Sequence, residues 1–592
     1  MRVLVTGGTG VIGEGAIPAL LKAGHSVRLL SRGAGKNAEE WPEGVEAFAA
    51  DVSDSSSLKG AADGCEAVIH ITGIVNESPP EVTFESINVE GTKKVLREAE
   101  RAGTRRFIFI SSLGADRGRS SYHESKRRAE EIVKQAKCEW VILRPGGVYG
   151  PGDEVISTLL KLIRTLPAIP VVADGEQRFQ PVWFEDVGTA VAKAVELPKL
   201  SGKTLELAGA EITTVNEVLD KLSNITGRSP ARVPVPSFIA ALGAQLFDGN
   251  SLGSEVKRIT GLDAPVDEAK LQMLLEENFI KGRKKNGLTD TLGIKPLPLD
   301  DGLRALADLL PEQTITEGVG DLERKRFYAD IEGSRYNASA LLEQFRERVM
   351  EVMPLEFQAE PGAASRVEQG ATLTANIPLR GNIQVRVEEV TPKRITFVTI
   401  EGHPLAGIVQ FLTSTVKRRV RFMIEIHTRY GSVFDRLTMA LGGSLMQNMN
   451  WQEVVERVVE LSGGTAPEGV ESESVTLDEE ETKRAERMVE GLVKRFKRSV
   501  KTERVVKGTS KPKASERQGK RSGKSSKNLS PAKSASKTGS KKRARSSKSS
   551  GNVKDVVETV SRAASSLVES VSSVALNLTG GRAKKGTKRT KR

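Results

Sequence analysis

The chain has 592 residues, two cysteines and a formal net charge of +13. That length exceeds one ordinary domain and allows about three or four units. The charge is divided: residues 501–592 carry 26 Lys/Arg against 5 Asp/Glu, a net of +21, while the preceding residues net −8. Basicity therefore belongs to the tail and says nothing of the folded body. Cys65 and Cys138 lie far apart, which excludes a disulfide scaffold and fits a reducing, cytoplasmic compartment. The chain opens directly on a strand, so no secretory leader is expected. No apolar run reaches the length of about eighteen residues needed to span a membrane.

The first element is the run Val3-Leu4-Val5, followed at once by Thr6-Gly7-Gly8-Thr9-Gly10-Val11-Ile12-Gly13 and then by apolar-periodic Ala16 to Leu21. The order reads as strand, glycine turn, helix. Gly7 suits a tight turn, Gly10 a close backbone approach to a pyrophosphate, and Gly13 close helix–strand packing. The phosphates would meet the helix N-terminus at Val11 and Ile12, where free N–H groups and the helix dipole favour anions. Further strands are predicted at Val27–Leu30, Ala67–Ile71, Phe107–Ile110 and Trp140–Leu143, with a helix over Asn88–Ala102. Strands separated by helices imply a doubly wound parallel sheet. Residues 146–310 read as a substrate lobe completing the same domain, 1–310.

A linker is expected over 311–324. From 325 to 465 the pattern becomes a strand over Arg324–Gly333, a helix over Ala338–Met353, and alternating segments at 371–375, 383–387, 395–399 and 420–426. A long helix over Ser432–Leu461 closes it. This is an α+β unit whose sheet would wrap the last helix. Residues 466–504 read as a charged helical linker. The tail, 505–592, is rich in Lys and Ser and is expected to be disordered, apart from an amphipathic helix over 553–578.

Chemistry concentrates in the first domain. Tyr122 and Lys126 stand four residues apart on a predicted helix, so they share a face. A phenol ionises near pH ~10, and a neighbouring ammonium would bring it down toward acid/base work. Ser111 and Ser112 end the preceding strand, where a hydroxyl would bind a carbonyl oxygen. The second strand ends Leu30-Ser31-Arg32, with Lys36 beyond and no acid until Glu39. Arg32 suits a 2′-phosphate, so NADP(H) is favoured over NAD(H). No His/Asp/Glu cluster has metal spacing, so no metal is expected, and His70, His403 and His427 read as ordinary hydrogen-bonding residues.

These residues resemble the extended or atypical short-chain dehydrogenase/reductases, the NAD-dependent epimerase/dehydratase family. Residues 178–187 and 205–209 resemble the subgroup related to the reductase-like accessory subunit of respiratory complex I. The resemblance covers about residues 1–310. It implies a Rossmann-type fold with Tyr122 as general acid/base, Lys126 as pKa-lowering and ribose-binding, and Ser112 as carbonyl-orienting. It places Asn88 near the active site, Asp51 and Val52 near the adenine, and Ile71 beside the cofactor. One departure is the short connection of nine residues between Ser112 and Tyr122. The 325–465 region resembles the helix-grip fold of the START and polyketide-cyclase-like superfamily. That implies either an apolar ligand cavity or a closed packed core. The tail resembles histone-like tails in composition.

Together these readings predict an NADP(H)-dependent oxidoreductase or epimerase/dehydratase-type enzyme acting on a small carbonyl or quinone-like substrate, apolar in character. The alternative is a non-catalytic NADP(H)-binding scaffold or sensor. The tail is expected to contact nucleic acid or anionic membrane without sequence specificity, giving nucleoid association or peripheral membrane attachment.

Overall fold

The computed structural model describes residues 1–35, 40–41, 43–172, 174–235, 276–282, 284–354, 358–377, 381–432, 435–436 and 444–507. Lys36, the basic tail beyond 507 and the amphipathic stretch 553–578 lie outside the described residues.

In the first domain seven parallel strands form one sheet: β1 (Arg2–Thr6), β2 (Ser26–Ser31), β3 (Val45–Ala49), β4 (Ala67–His70), β5 (Arg106–Ile110), β6 (Glu139–Pro145) and β7 (Lys203–Leu207). Their spatial order is β7-β6-β5-β4-β1-β2-β3. The order reverses beside β1, where the glycine turn begins, and such a switch point is where open α/β sheets bind ligands. Successive residues of β1 serve opposite layers, which is why the run is apolar throughout rather than alternating. Val3 and Val5 pack with Ala16, Ile17 and Leu20 of α1 (Val11–Lys22), while Leu4 packs with the layer holding Val95, Leu96 and Ala129. Those belong to α2 (Glu90–Arg101) and α3 (Ser121–Lys134). The helix expected from Asn88 begins instead as a π-helical turn, Phe84–Val89, and becomes α-helical at Glu90. Two further helices matter below: α4 (Ile156–Thr165) and α5 (Phe184–Glu196).

The second part is a seven-stranded antiparallel sheet built from β8 (Val319–Ile331), β9 (Thr372–Ile377), β10 (Gly381–Val390), β11 (Arg394–Thr399), β12 (Leu405–Val416), β13 (Arg419–Tyr430) and β14 (Glu471–Thr476), in the order β9-β10-β11-β12-β13-β8-β14. Helices α6 (Ala338–Glu347) and α7 (Ser444–Ser462) cover one face. Among the described residues, the space between that face and α7 is filled by Phe345, Phe397, Phe411, Phe422 and Trp451, with ring centroids of Phe345 and Phe411 4.7 Å apart. The expected helix over 338–353 breaks at Arg348, which separates α6 from a short turn at Val349–Val352.

Three segments differ from expectation. Leu405–Val416 is a strand that the alternation pattern did not mark. Residues 466–504, expected as a charged helical linker, supply the polar edge strand β14 against β8 and then helix α8 (Glu479–Lys507). Likewise β8 begins at Val319, inside the expected linker, whose Ile315 is fully buried.

The two parts meet through buried charge. Arg164 of α4 binds Glu360 with both forks at 2.7 Å, the Gln384 amide oxygen at 2.8 Å and the Ala307 carbonyl at 2.9 Å. A planar guanidinium offers that fan of donors, and a bidentate carboxylate uses two of them.

Candidate functional site

The phosphate cradle follows from three glycines. Gly7 sits at φ +71°, and a Cβ there would lie 2.6 Å from the Thr72 amide nitrogen. At Gly13 a Cβ would lie 2.3 Å from the Gly8 carbonyl, so only glycine lets α1 start this close to the turn. Gly10 is different. Its φ is −92°, and a Cβ would find no described protein atom nearer than the Gly7 oxygen at 3.7 Å. The space beside it is open, and it faces a cavity of about 1120 Å³ that Gly7, Val11, Ile12 and Ile71 also line. Gly10 caps α1 with no side chain, leaving the first-turn N–H groups of Val11 and Ile12 without helical partners. An open backbone face with unpaired donors at a helix N-terminus fits a pyrophosphate. The helix itself is fixed by α5, where Gly15 and Gly188 abut so closely that a Cβ on either would strike backbone at 2.2–2.3 Å.

Across the cavity stand Ser112, Tyr122 and Lys126, all lining it. Ser120 caps α3, its hydroxyl accepting from the His123 N–H, which sets Tyr122 in the first turn and Lys126 one turn on. Both are nearly enclosed, at 8% and 4% exposure. Lys126 Nζ donates to the Ile110 carbonyl at 3.1 Å and lies 5.2 Å from the Phe109 ring centroid. Burial lowers its pKa to about 8, against the pull of Glu130. The phenol departs from expectation: burial drives its pKa up, and the opposing influence is a hydrogen bond with Ser112 rather than the Lys126 ammonium. Lys126 is spent on a strand-end carbonyl, so the shared helical face alone does not couple the pair.

Asn88 lies behind the site, in the π-helical turn. Its amide accepts from the Ile74 N–H at 2.8 Å and donates to the Ile74 carbonyl at 3.1 Å and to Ser125 Oγ at 3.0 Å. It thereby ties the loop after β4 to α3. The two adjacent serines separate. Ser112 Oγ donates to the Leu113 carbonyl at 3.4 Å within reach of the Tyr122 phenol, whereas Ser111 donates to Glu130 at 2.6 Å, in a buried group where Arg144 holds Glu130 with two bonds of 2.7 and 2.6 Å. His70 is fully buried between Thr6 and Thr92 hydroxyls, and desolvation lowers its pKa to about 3, so it stays neutral. His123 is held by Ser120 and Glu276.

The adenine side is placed less tightly. Arg32 is exposed just after β2; against the upward push of burial, the Ser53 hydroxyl and N–H lower the Asp51 pKa, with a smaller contribution from the Arg32 charge. Val52 is buried in the apolar layer beside Gly91. Arg32, Asp51 and Val52 lie outside the lining of the 1120 Å³ cavity, on the side of β2 and β3.

The sequence reading missed the far wall. Arg386, Phe496, Val500 and Lys501 line the same cavity beside Leu309 and Leu310, so the second part of the chain contributes to its wall. A signal was present: Val489, Leu492, Val493, Phe496 and Val500 recur at helical spacing on α8. Among the described residues no three His, Cys, Asp or Glu side chains converge to hold a metal, and no helix is long and apolar enough to cross a membrane.

Residues 3–208 match the family described as "NAD dependent epimerase/dehydratase family". The chain is 30% identical over 242 residues to a ceramide reductase of Caulobacter vibrioides, covering 40% of this chain and 75% of that one. It is 29% identical over 248 residues to subunit 9 of the mitochondrial NADH dehydrogenase [ubiquinone] 1 alpha subcomplex of Arabidopsis thaliana, spanning 60% of that subunit and 40% of this chain. A third relative, sterol demethylase protein B of Methylococcus capsulatus, is 29% identical over 263 residues, 40% of this chain and 78% of that one.

Proposed function

The chain belongs to the NAD dependent epimerase/dehydratase family, NAD(P)-dependent enzymes of the short-chain dehydrogenase/reductase type, and on that premise we propose that it is an NADP(H)-dependent oxidoreductase acting on an apolar carbonyl substrate. The observation that carries this reading is the meeting of Gly10, Ser112, Tyr122 and Lys126 on one cavity. The dinucleotide, when bound, supplies or accepts a hydride. The Val11 and Ile12 N–H groups and the open face of Gly10 would hold its pyrophosphate. Ser112 and Tyr122 hydroxyls converge on the substrate oxygen, and Tyr122 gives up its proton as that oxygen gains charge. In the reverse direction Tyr122 takes the proton back. Lys126, on the same cavity wall one helical turn beyond Tyr122, would bind the ribose of the cofactor.

Arg32, exposed beyond β2, supports the choice of NADP(H), since only that cofactor carries a 2′-phosphate. Apolar lining from Leu309, Leu310, Phe496 and Val500 supports an apolar substrate, as do the names of the ceramide reductase and the sterol demethylase protein. The test is NADPH oxidation by the full chain over a panel of ketones and quinones of rising apolar length. Tyr122→Phe should lower kcat by about a hundredfold or more. If NADPH binds but wild type and Tyr122→Phe are equally inert throughout the panel, the scaffold alternative replaces this reading. For the tail, its net charge of +21 supports non-specific attachment to a polyanion.

A further inference from the structure

Helix α8 belongs to two places. Its Ala485, Val489, Leu492 and Val493 are buried with Val398 and Ile408 of the second sheet and with Ile315 of the turn that precedes it. Farther along, Lys501 reaches the first domain. Its side chain is 7% exposed, with Nζ 2.9 Å from Glu14 Oε1, 3.4 Å from Glu40 Oε2 and 3.8 Å from the Trp41 ring centroid. Glu14 stands in the first turn of α1, and Glu14, Glu40 and Lys501 line the same cavity as Gly7 and Gly10. The phosphate cradle is thus flanked by two carboxylates. One acid in a first helical turn suits the dipole. Two beside an arriving pyrophosphate oppose it, and in a partly enclosed cleft that repulsion is only weakly screened.

We propose that Lys501 is a positioning residue for the dinucleotide: by offsetting Glu14 and Glu40 it lets the pyrophosphate settle on α1, so that cofactor binding depends on the docked C-terminal helix. The proposal rests on the functional reading above, because it needs a dinucleotide at Gly10. It also explains why a lysine is enclosed so far from its own sheet, and why its stem lies along an indole rather than in solvent.

The test uses the full chain and fluorescence titration with NADPH and with NADH. Lys501→Met keeps the stem against Trp41 and removes the charge. It should raise Kd about tenfold or more for both cofactors alike, since both carry the pyrophosphate. Glu14→Gln added to Lys501→Met should restore most of the lost affinity, and Lys501→Arg should bind as wild type does. Lys501→Met with an unchanged Kd, or a loss that Glu14→Gln leaves in place, would overturn the proposal. Should Lys501→Met fold poorly, Glu14→Gln alone decides: unchanged or tighter binding is expected, and weaker binding overturns it. Failure of the functional reading looks different: wild type that binds NADPH without turnover removes the enzyme reading and leaves these titrations intact, whereas wild type that binds neither dinucleotide overturns the proposal as well.

Discussion

Two glycines three residues apart should respond to the same methyl group in opposite ways. Gly10→Ala adds a Cβ at φ −92°, an ordinary backbone for alanine, with no described protein atom closer than 3.7 Å. Folding should therefore change little, the less flexible unfolded chain offsetting alanine's poorer fit at an N-cap. Gly13→Ala drives its Cβ to 2.3–2.4 Å from the Gly8 backbone, which must move. Overpacking of that kind costs ~1–3 kcal/mol, or roughly 2–4 °C of Tm per kcal/mol in a domain of this size. Binding should invert the ranking of harm. The methyl of Gly10→Ala fills the space through which a phosphate oxygen must come within ~3 Å of backbone nitrogen. A loss of ~1.4–2.8 kcal/mol, ten- to a hundredfold in Kd for NADPH, is expected. Thermal melting and cofactor titration on both variants decide it. Gly10→Ala with wild-type affinity would show that no phosphate approaches that face. Gly10→Ala melting as low as Gly13→Ala would show that the open space is not open.

Arg32→Glu should weaken NADPH binding at least about tenfold and leave NADH nearly unaffected; equal losses in paired titrations would mean Arg32 does not read the 2′-phosphate. Lys126 predicts a pH effect whose sign is set by burial: its pKa falls from 10.5 to about 8, so between those values the unfolded chain holds a proton that the folded one has released. Stability attributable to Lys126 is then lowest below pH 8 and recovers as pH rises through that window. Urea unfolding of Lys126→Met should show a gain over wild type at pH 7 that shrinks by pH 10; a constant difference counts against the depressed value. Arg164→Met leaves the Glu360 carboxylate buried, and the loss should be ~3–5 kcal/mol by denaturant unfolding. A cost under ~1 kcal/mol would mean that this pair does not hold the two parts together. DNA binding by the full chain should fall about a thousandfold between low and near-physiological salt, and a flat salt response would remove the polyanion reading of the tail.

What was legible in the sequence was local. The strand–glycine–helix order at residues 3–21, and Tyr122 with Lys126, each depend on spacing within one or two turns. The chain's own geometry carries them into the structure. Ser111 and Ser112 show where that stops. Both end the same strand, yet only burial against Glu130 and Arg144 tells which hydroxyl is engaged elsewhere. The phenol's environment was likewise out of reach, since whether Lys126 couples to Tyr122 depends on the Ile110 carbonyl, an acceptor that no residue pattern marks. Strand β14 was hidden because an edge strand with Glu and Ser on exposed positions has little apolar signal. Strand β12 was hidden for the reverse reason, being buried on both faces over much of its length, which erases the alternation. Lys501 was the hardest case: its partner Glu14 lies 487 positions away, and no short-range rule connects them.

The continuity of α8 makes it a ruler. Val493 is fixed in the apolar layer of the second sheet and Lys501 on α1, eight positions apart in one uninterrupted helix. That is about 12 Å and a little over two turns. Inserting a single residue there would swing Lys501 through about 100° and off the two carboxylates, although no residue of the site had been altered. Seven inserted residues would restore the bearing within about 20° but carry the ammonium some 10 Å too far. Natural variation in this helix should therefore be tolerant of side-chain change on its outer face and intolerant of change in length.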